Sequence, residues 1–221
     1  MKPIEIEIER IKEQHSQMWE MVEQQVRKAF VAMETFDKEL AHEIISREKM
    51  VNAQELVVDH YCENFIALFN PVAVDLRLMI SLLKINNNLE RIGDFAESIA
   101  LFVLHQQTKV MDPELVKNIQ LKKMTDNAMQ MLSIARNAWD QENCTMASRV
   151  LTLDDILDDI NRDSVKILAD YSVAHPEHAT EILHIYAVIR RIERIGDRAS
   201  NIAEDTCFYL DAKELRHRNK S

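Results

Sequence analysis

Leu89-Glu90-Arg91-Ile92-Gly93-Asp94 recurs in the second half of the chain as Ile192-Glu193-Arg194-Ile195-Gly196-Asp197, 103 residues later. These two stretches hold the only two glycines among 221 residues. A glycine inside a helix costs about 1 kcal/mol relative to alanine, so two in register call for a structural reason. The register extends beyond the motif. Ala96 answers Ala199, and Ile99-Ala100 answers Ile202-Ala203. Upstream, Asn70-Pro71 and His175-Pro176 open the segments that lead into each copy. A period of about half the chain reads as an internal duplication.

Two glycines and four prolines cannot supply the turns of a sheet-rich protein, and the fold class that follows is all-α. Apolar residues recur at spacings of three and four through Leu82, Ile85, Leu89, Ile92, Ala96, Ile99 and Val103. The same pattern runs through Ile185, Val188, Ile192, Ile195, Ala199, Ile202, Thr206 and Tyr209, and through Val150, Leu153, Leu157, Ile160, Ser164, Ile167 and Tyr171. Ile8, Ile11, His15, Met18 and Val22 form a further stripe. Each is the core seam of an amphipathic helix. His15 reads as a hydrogen-bonded core histidine and the methionines as core filler.

Asn or Asp followed by proline marks helix starts at Asn70-Pro71 and Asp112-Pro113, and His175-Pro176 is a weaker signal of the same kind. Six helices are predicted, over 4–35, 37–69, 71–107, 113–140, 144–174 and 176–214, with breaks at Thr35-Phe36-Asp37 and Gln141-Glu142-Asn143. They group into two tandem, elongated three-helix bundles over 1–109 and 110–221, each able to bury a modest core, with the divide near Thr108 to Asp112.

There are 27 basic and 37 acidic residues, a formal charge of −10. That balance argues against a nucleic-acid partner and favours cations or basic protein surfaces. The basic exception, Lys213, Arg216, His217, Arg218 and Lys220, suits a solvated helix end. Cys62, Cys144 and Cys207 lack a CxxC arrangement, which argues against a disulfide framework or zinc knuckle and fits a reducing cytoplasm. No signal-peptide core or bilayer-length apolar stretch is present, so a soluble protein with only peripheral membrane contact is expected.

Glu90 and Asp94 share one helical face, as do Glu193 and Asp197, and Asp154 and Asp158. Each pair stands just past the core seam and is expected on the outer face. The first-half counterparts of Asp154 and Asp158, 106 residues earlier, are Glu48 and Asn52. If adjoining helices lie side by side, Glu48, Glu90 and Asp94 converge at one place and Asp154, Asp158, Glu193 and Asp197 at another. Carboxylates so gathered repel one another unless protonated or neutralised, and hard cations relieve the repulsion. Gly93 and Gly196 would let the neighbouring helix come close. Open positions on such a cluster would suit anions such as phosphate. The competing reading is an ordinary surface network, with Arg91 or Arg194 pairing the acids.

These motifs, together with Pro71-Val72-Ala73-Val74-Asp75-Leu76-Arg77 and Asn201-Ile202-Ala203-Glu204, resemble the PhoU family of bacterial phosphate-signalling regulators over nearly the whole chain. The resemblance implies two three-helix bundles with multinuclear metal clusters at Glu/Asp-x-x-x-Asp motifs, a cytoplasmic homodimer, and negative regulation of phosphate uptake. It further implies contact with a phosphate ABC transporter and a membrane sensor histidine kinase, and no reaction of its own. Carried over, the metal positions are Glu90, Asp94, Glu193, Asp197, Asp154, Asp158 and Glu48. All-carboxylate sites accept magnesium, manganese, iron or zinc, so the ion stays open. Three departures, at Asn52, Asn88 and Ser98, weaken the N-terminal site, and the C-terminal cluster is expected to hold metal more tightly.

Two alternatives remain beside this reading. One is a metal-free helical adaptor whose acidic faces dock basic partners. The other is a di-iron carboxylate enzyme, prompted by Glu39-Leu40-Ala41-His42 and Glu181-Ile182-Leu183-His184, although their register does not build the required four-helix order.

Overall fold

The computed structural model describes residues 3–106 and 111–211, and among these it contains seven α-helices and no strand. The helices are α1 (Pro3–Thr35), α2 (Lys38–Phe69), α3 (Val74–His105), α4 (Pro113–Asn118), α5 (Leu121–Asp140), α6 (Cys144–Ala174) and α7 (Ala179–Asp211), with a 3₁₀ turn at Pro176–His178 before α7. Helices α1 to α3 form one bundle and α5 to α7 the other. The C-terminal basic cluster, the expected divide at 108–110 and the last residues of the expected sixth helix lie outside the described residues.

The seams are buried as their periodicity requires. Leu82, Ile85, Leu89, Ile92, Ala96, Ile99 and Val103 have no exposed surface, and their counterparts on α7 from Ile185 to Thr206 are equally enclosed. The two long central helices also pack on each other. Arg77 Nε donates to the Tyr209 carbonyl at 3.5 Å, Ser81 Oγ to the Asp205 carbonyl at 3.2 Å, and Gln106 meets His184 at 3.3 Å, so α3 and α7 run antiparallel. The core expected in two separate portions is therefore continuous from one bundle to the other. At the contact of these two helices Asp205 is buried and meets Lys84 at 3.3 Å, and the Lys84 ammonium also lies 4.9 Å from the centre of the Phe208 ring.

Caps set most boundaries where the sequence places them. Asp37, Asp112 and Asn143 each accept a hydrogen bond from a first-turn backbone N–H, which satisfies an otherwise orphaned donor. Three boundaries differ. Asn70 does not open α3 but closes α2, in a left-handed conformation (φ 46°) with its N–H on the Ile66 carbonyl. Asparagine tolerates that conformation and proline often follows it, so the dipeptide reads equally as a stop. The predicted 113–140 helix breaks at Gln120 (φ 52°). Ile119 and Leu121 are both buried, yet positions two apart on one helix face nearly opposite ways, and the left-handed residue between them turns both inward. The third difference is the 3₁₀ turn that delays α7 to Ala179.

His15 is buried as expected, against the Trp139 ring at 5.5 Å. Its Nε2 has no hydrogen-bond partner, contrary to the hydrogen-bonded core role, and burial lowers its pKa to about 3. Among the described residues, no helix is long and apolar enough to cross a membrane.

Cys144 and Cys207 are joined in a disulfide, contrary to the expectation drawn from cysteine number and spacing, which argued against disulfides. Cysteine spacing did not reveal it because 63 residues separate the pair, and only the hairpin of α6 and α7 brings the start of one helix to the end of the other. The bond closes a long loop, and loop-closure entropy assigns it a stabilisation of about 4 kcal/mol. Adding dithiothreitol should lower the melting midpoint by about 10 °C and have no such effect on Cys144→Ser. An unchanged midpoint on reduction would show that the bond does not constrain the fold.

Candidate metal centre

Both glycines lie where two helices touch. A Cβ built on Gly93 would stand 3.2 Å from Val51 Cγ1 and 3.4 Å from both Glu48 carboxylate oxygens. On Gly196 it would stand 2.8 Å from Leu157 Cδ2, and 3.4 Å from Asp154 Oδ1 and Met131 Cε. Val51 and Leu157, like Glu48 and Asp154, are 106 residues apart. The duplication is thus repeated in the contacts: each glycine admits an apolar side chain and a carboxylate from the helix before it.

In the second half, Asp158, Glu193 and Asp197 each offer an oxygen within 4.8 Å of the others, a spacing able to hold a metal ion. Asp158 and Asp197 are exposed, but Glu193 is buried. One Glu193 oxygen accepts from Arg190 at 3.0 Å, while Oε2 is buried with no hydrogen-bond partner. Burial, then the Asp197 charge, raises the Glu193 pKa, with Arg190 opposing. Asp154 lies beneath the trio against Gly196. Burial first, then the Asp197 and Asp158 charges, push its carboxyl up to about 7. An unpartnered buried oxygen and acids that resist ionisation are the features a cation would relieve, so the donor set fits a hard metal ion.

The first half is built differently. Glu48 is only 4% exposed, and its Oε2 accepts a short hydrogen bond from the Gln25 amide on α1. Its other oxygen is buried without a partner. Burial pushes this carboxyl up to about 7, the Gln25 bond opposes the shift, and the charges of Glu97, Asp94 and Glu90 add to it. Burial, then the Asp94 and Glu55 charges, also raises Glu90. Above them, Arg91 lies 3.6 Å from Glu90 and 3.2 Å from Asp94, so a cation already occupies the mouth of the site. Arg194 does not repeat this pairing: its guanidinium lies 5.9 Å from the centre of the Phe95 ring.

The expectation that every carboxylate faces outward therefore fails for Glu48 and Glu193. Glu193 stands on α7, which is packed against several helices, and Glu48 on α2 lies between Gly93 of α3 and the Gln25 amide of α1. Sequence reasoning also missed Gln25, Glu55 and Glu97. Gln25 has a signal in the repeat, since 106 residues later the equivalent position is the apolar Met131. Glu97 stands three residues after Asp94 on the same face, where the second copy has Ser200. The Glu-x-x-His pairs build no shared site: Glu39 and His42 are exposed on α2, and Glu181 meets His178.

Two three-helix bundles in tandem, each with carboxylates gathered beneath a helical glycine, define a duplicated, acid-faced helical protein. The PhoU domain profile matches residues 16–103 and 121–206, and the chain belongs to the PhoU family. It is 34% identical over 211 residues to the phosphate-specific transport system accessory protein PhoU of Escherichia coli (strain K12), covering 96% of this chain and 86% of that protein. The crystal structure of PhoU from Pseudomonas aeruginosa superposes with a TM-score of 0.90 at 28% identity, covering 95% of this chain and 99% of that one. The structure of the phosphate transport system regulatory protein PhoU from Streptococcus pneumoniae shares the fold, with a TM-score of 0.87 at 22% identity over 96% of this chain and 99% of that one.

Two predictions follow from this geometry. Leu157 has no exposed surface, so Gly196→Ala overpacks its contact by about 1–3 kcal/mol against a gain of about 1 kcal/mol in helix propensity. Denaturant unfolding should show a net loss for Gly196→Ala and little change for Gly93→Ala; the reverse order would contradict the contact distances. The second concerns pH in chelator-treated protein. Glu48 and Asp154 start from ordinary values of 4.5 and 3.8 and titrate at about 7 when folded. Their protonated forms favour the native state, so the contribution is full below the unfolded values and is lost as pH rises to about 7. Asp154→Asn should flatten that decline in a pH series of unfolding curves, and an unaltered slope would contradict the shift.

Proposed function

We propose that this chain is a metal-binding regulator of phosphate uptake and phosphate-starvation signalling that acts by docking to a phosphate ABC transporter and a sensor histidine kinase. Membership of a family whose relatives are named as phosphate transport accessory proteins supports the transport role. The single observation that carries the metal reading is the Asp158, Glu193 and Asp197 trio, with one Glu193 oxygen buried and unpartnered. Negative regulation, a cytoplasmic location and a homodimer belong to the same proposal and rest on the family alone.

In this reading Glu193 supplies the enclosed donor at the floor of the site, held in place by Arg190. Asp158 and Asp197 close over it from α6 and α7, and Asp154 adds charge from below. A bound divalent or trivalent ion such as magnesium, manganese, iron or zinc neutralises the cluster and leaves coordination positions open to anions. The first-half residues Glu48, Glu90 and Asp94 make the weaker site, because Arg91 and Gln25 already provide a cation and a hydrogen-bond donor. The same two partners favour a second reading for that half alone, an ion-paired acidic surface without metal.

Metal analysis of protein purified without chelator tests the proposal. Asp197→Ala should lose most of the bound metal and Asp94→Ala should retain most of it, and the Asp197→Ala protein should sediment less with membranes carrying the phosphate transporter. Equal metal loss in both variants would remove the asymmetry, and metal-free wild-type protein that still sediments would favour the adaptor.

A further inference from the structure

The Cys144–Cys207 bond joins two unlike surroundings. Cys207 is enclosed in the core near the end of α7, whereas Cys144 is the first residue of α6 and is partly exposed. Small secreted domains need such bonds to make up for a small core, but this chain buries one core continuous through both bundles. What the bond fastens is local. We propose that Cys144 and Cys207 form a reversible redox site, opened by a dithiol reductant of the Cys-x-x-Cys class, which releases the turn between α5 and α6 from the end of α7.

Exposure and leaving-group chemistry set the order of steps. A thiolate of the reductant attacks Cys144 Sγ, the sulfur of the partner that solvent reaches. A new S–S bond forms there, the Cys144–Cys207 bond breaks, and its electron pair passes to Cys207 Sγ, which takes up a proton. The core has a place for that thiol, since Cys207 Sγ lies 3.5 Å from the Cys144 carbonyl oxygen, an acceptor for its S–H. The second thiolate of the reductant then attacks its own sulfur in the mixed disulfide. The reductant departs as a disulfide, and Cys144 leaves as a thiolate that takes the second proton. In all, two electrons and two protons pass from the dithiol to the protein. The start of α6, capped by Asn143 through the Met146 N–H at 3.0 Å, suits the last step. The positive end of a helix dipole lowers the pKa of a thiol placed there, and a thiol of lower pKa leaves faster.

The bond closes a joint that reaches both bundles. Tyr209, two residues after Cys207, donates its hydroxyl to Glu142 Oε1 at 3.3 Å, two residues before Cys144. Its ring lies 5.5 Å from that of Trp139. Glu142 is in turn 3.9 Å from Lys12 of α1, and Trp139 rests 5.5 Å from the His15 ring of the same helix. These side chains line a cavity of about 130 Å³ between the first bundle and the second. The polar contacts of Glu142 are made at the surface, where each contributes little, so the disulfide is the main hold on the turn.

The test exposes native wild-type protein to thioredoxin, thioredoxin reductase and NADPH. One equivalent of NADPH should be consumed, and a maleimide should then label Cys144 while the buried Cys62 stays unlabelled. Urea below the unfolding transition should leave the rate unchanged, because the attack requires no unfolding. Amide hydrogen exchange over residues 139–146 should become faster by about tenfold or more and return to its first rate after treatment with glutathione disulfide. Cys207→Ser should take up one glutathione from glutathione disulfide, and Cys144→Ser should take up none, because its remaining thiol is enclosed. Reduction that begins only as urea unfolds the chain would overturn the proposal. So would equal glutathione uptake by the two variants, or native reduction that leaves exchange over 139–146 unchanged.

Discussion

The close approach of paired helices at two glycines is the contact on which the site depends. At Gly93 and Gly196 the central helix of each bundle has no side chain, and a carboxylate from the preceding helix comes within van der Waals reach of the gap. At Gly196 even one methyl group would press on Leu157 Cδ2 at 2.8 Å, while Gly93 leaves slightly more room. Because each glycine lies between the two acids of its motif, the same approach that brings the backbones together also gathers like charges. Burial of Glu48, Asp154 and Glu193 then holds part of that charge away from water, which is why all three resist ionisation. Close packing and electrostatic repulsion are here two consequences of one contact.

Duplication kept this geometry and changed its neutralisation. In the first bundle a glutamine amide reaches Glu48 and an arginine lies over Glu90 and Asp94. In the second, the glutamine position is methionine, and the arginine of the motif turns to an aromatic ring on α3. Arg190, a turn earlier, meets just one oxygen of Glu193. The two halves therefore present the same backbone with differently compensated carboxylates. A chain of formal charge −10 has reason to treat its acidic clusters individually, because each unneutralised cluster lowers stability.

The antiparallel packing of α3 on α7 makes the two bundles one body. A shared core means that a displacement of α7 moves the surface on which α3 rests, and the Glu-x-x-x-Asp pair of each site, Glu90 with Asp94 and Glu193 with Asp197, stands on one of these two helices. The α6–α7 hairpin is fastened near its open end by the Cys144–Cys207 bond and ends at the other in the histidine-bearing turn. Its acidic trio lies between these two ends, on helices whose relative register both of them constrain.

Much of this was legible in the chain itself. Periodicity of three and four located the seams, the Asp112-Pro113 cap and the breaks ending at Asp37 and Asn143 located helix starts, and repetition of a glycine-bearing motif located both acidic faces. These signals are local, since each is set by the geometry of one helix. Other features depended on neighbours distant in sequence. Whether Asn70-Pro71 stops one helix or starts the next was decided by where α3 must pack. Burial of Glu48 and Glu193, the hold of Gln25, the pairing of Arg91 rather than Arg194, and the meeting of Cys144 with Cys207 all follow from which helices adjoin. By itself the sequence determined an all-helical, duplicated chain with carboxylates one turn apart. Only the tertiary structure decided which of them come together and which are already neutralised, because charge repulsion and desolvation depend on distances between helices that no single helix specifies.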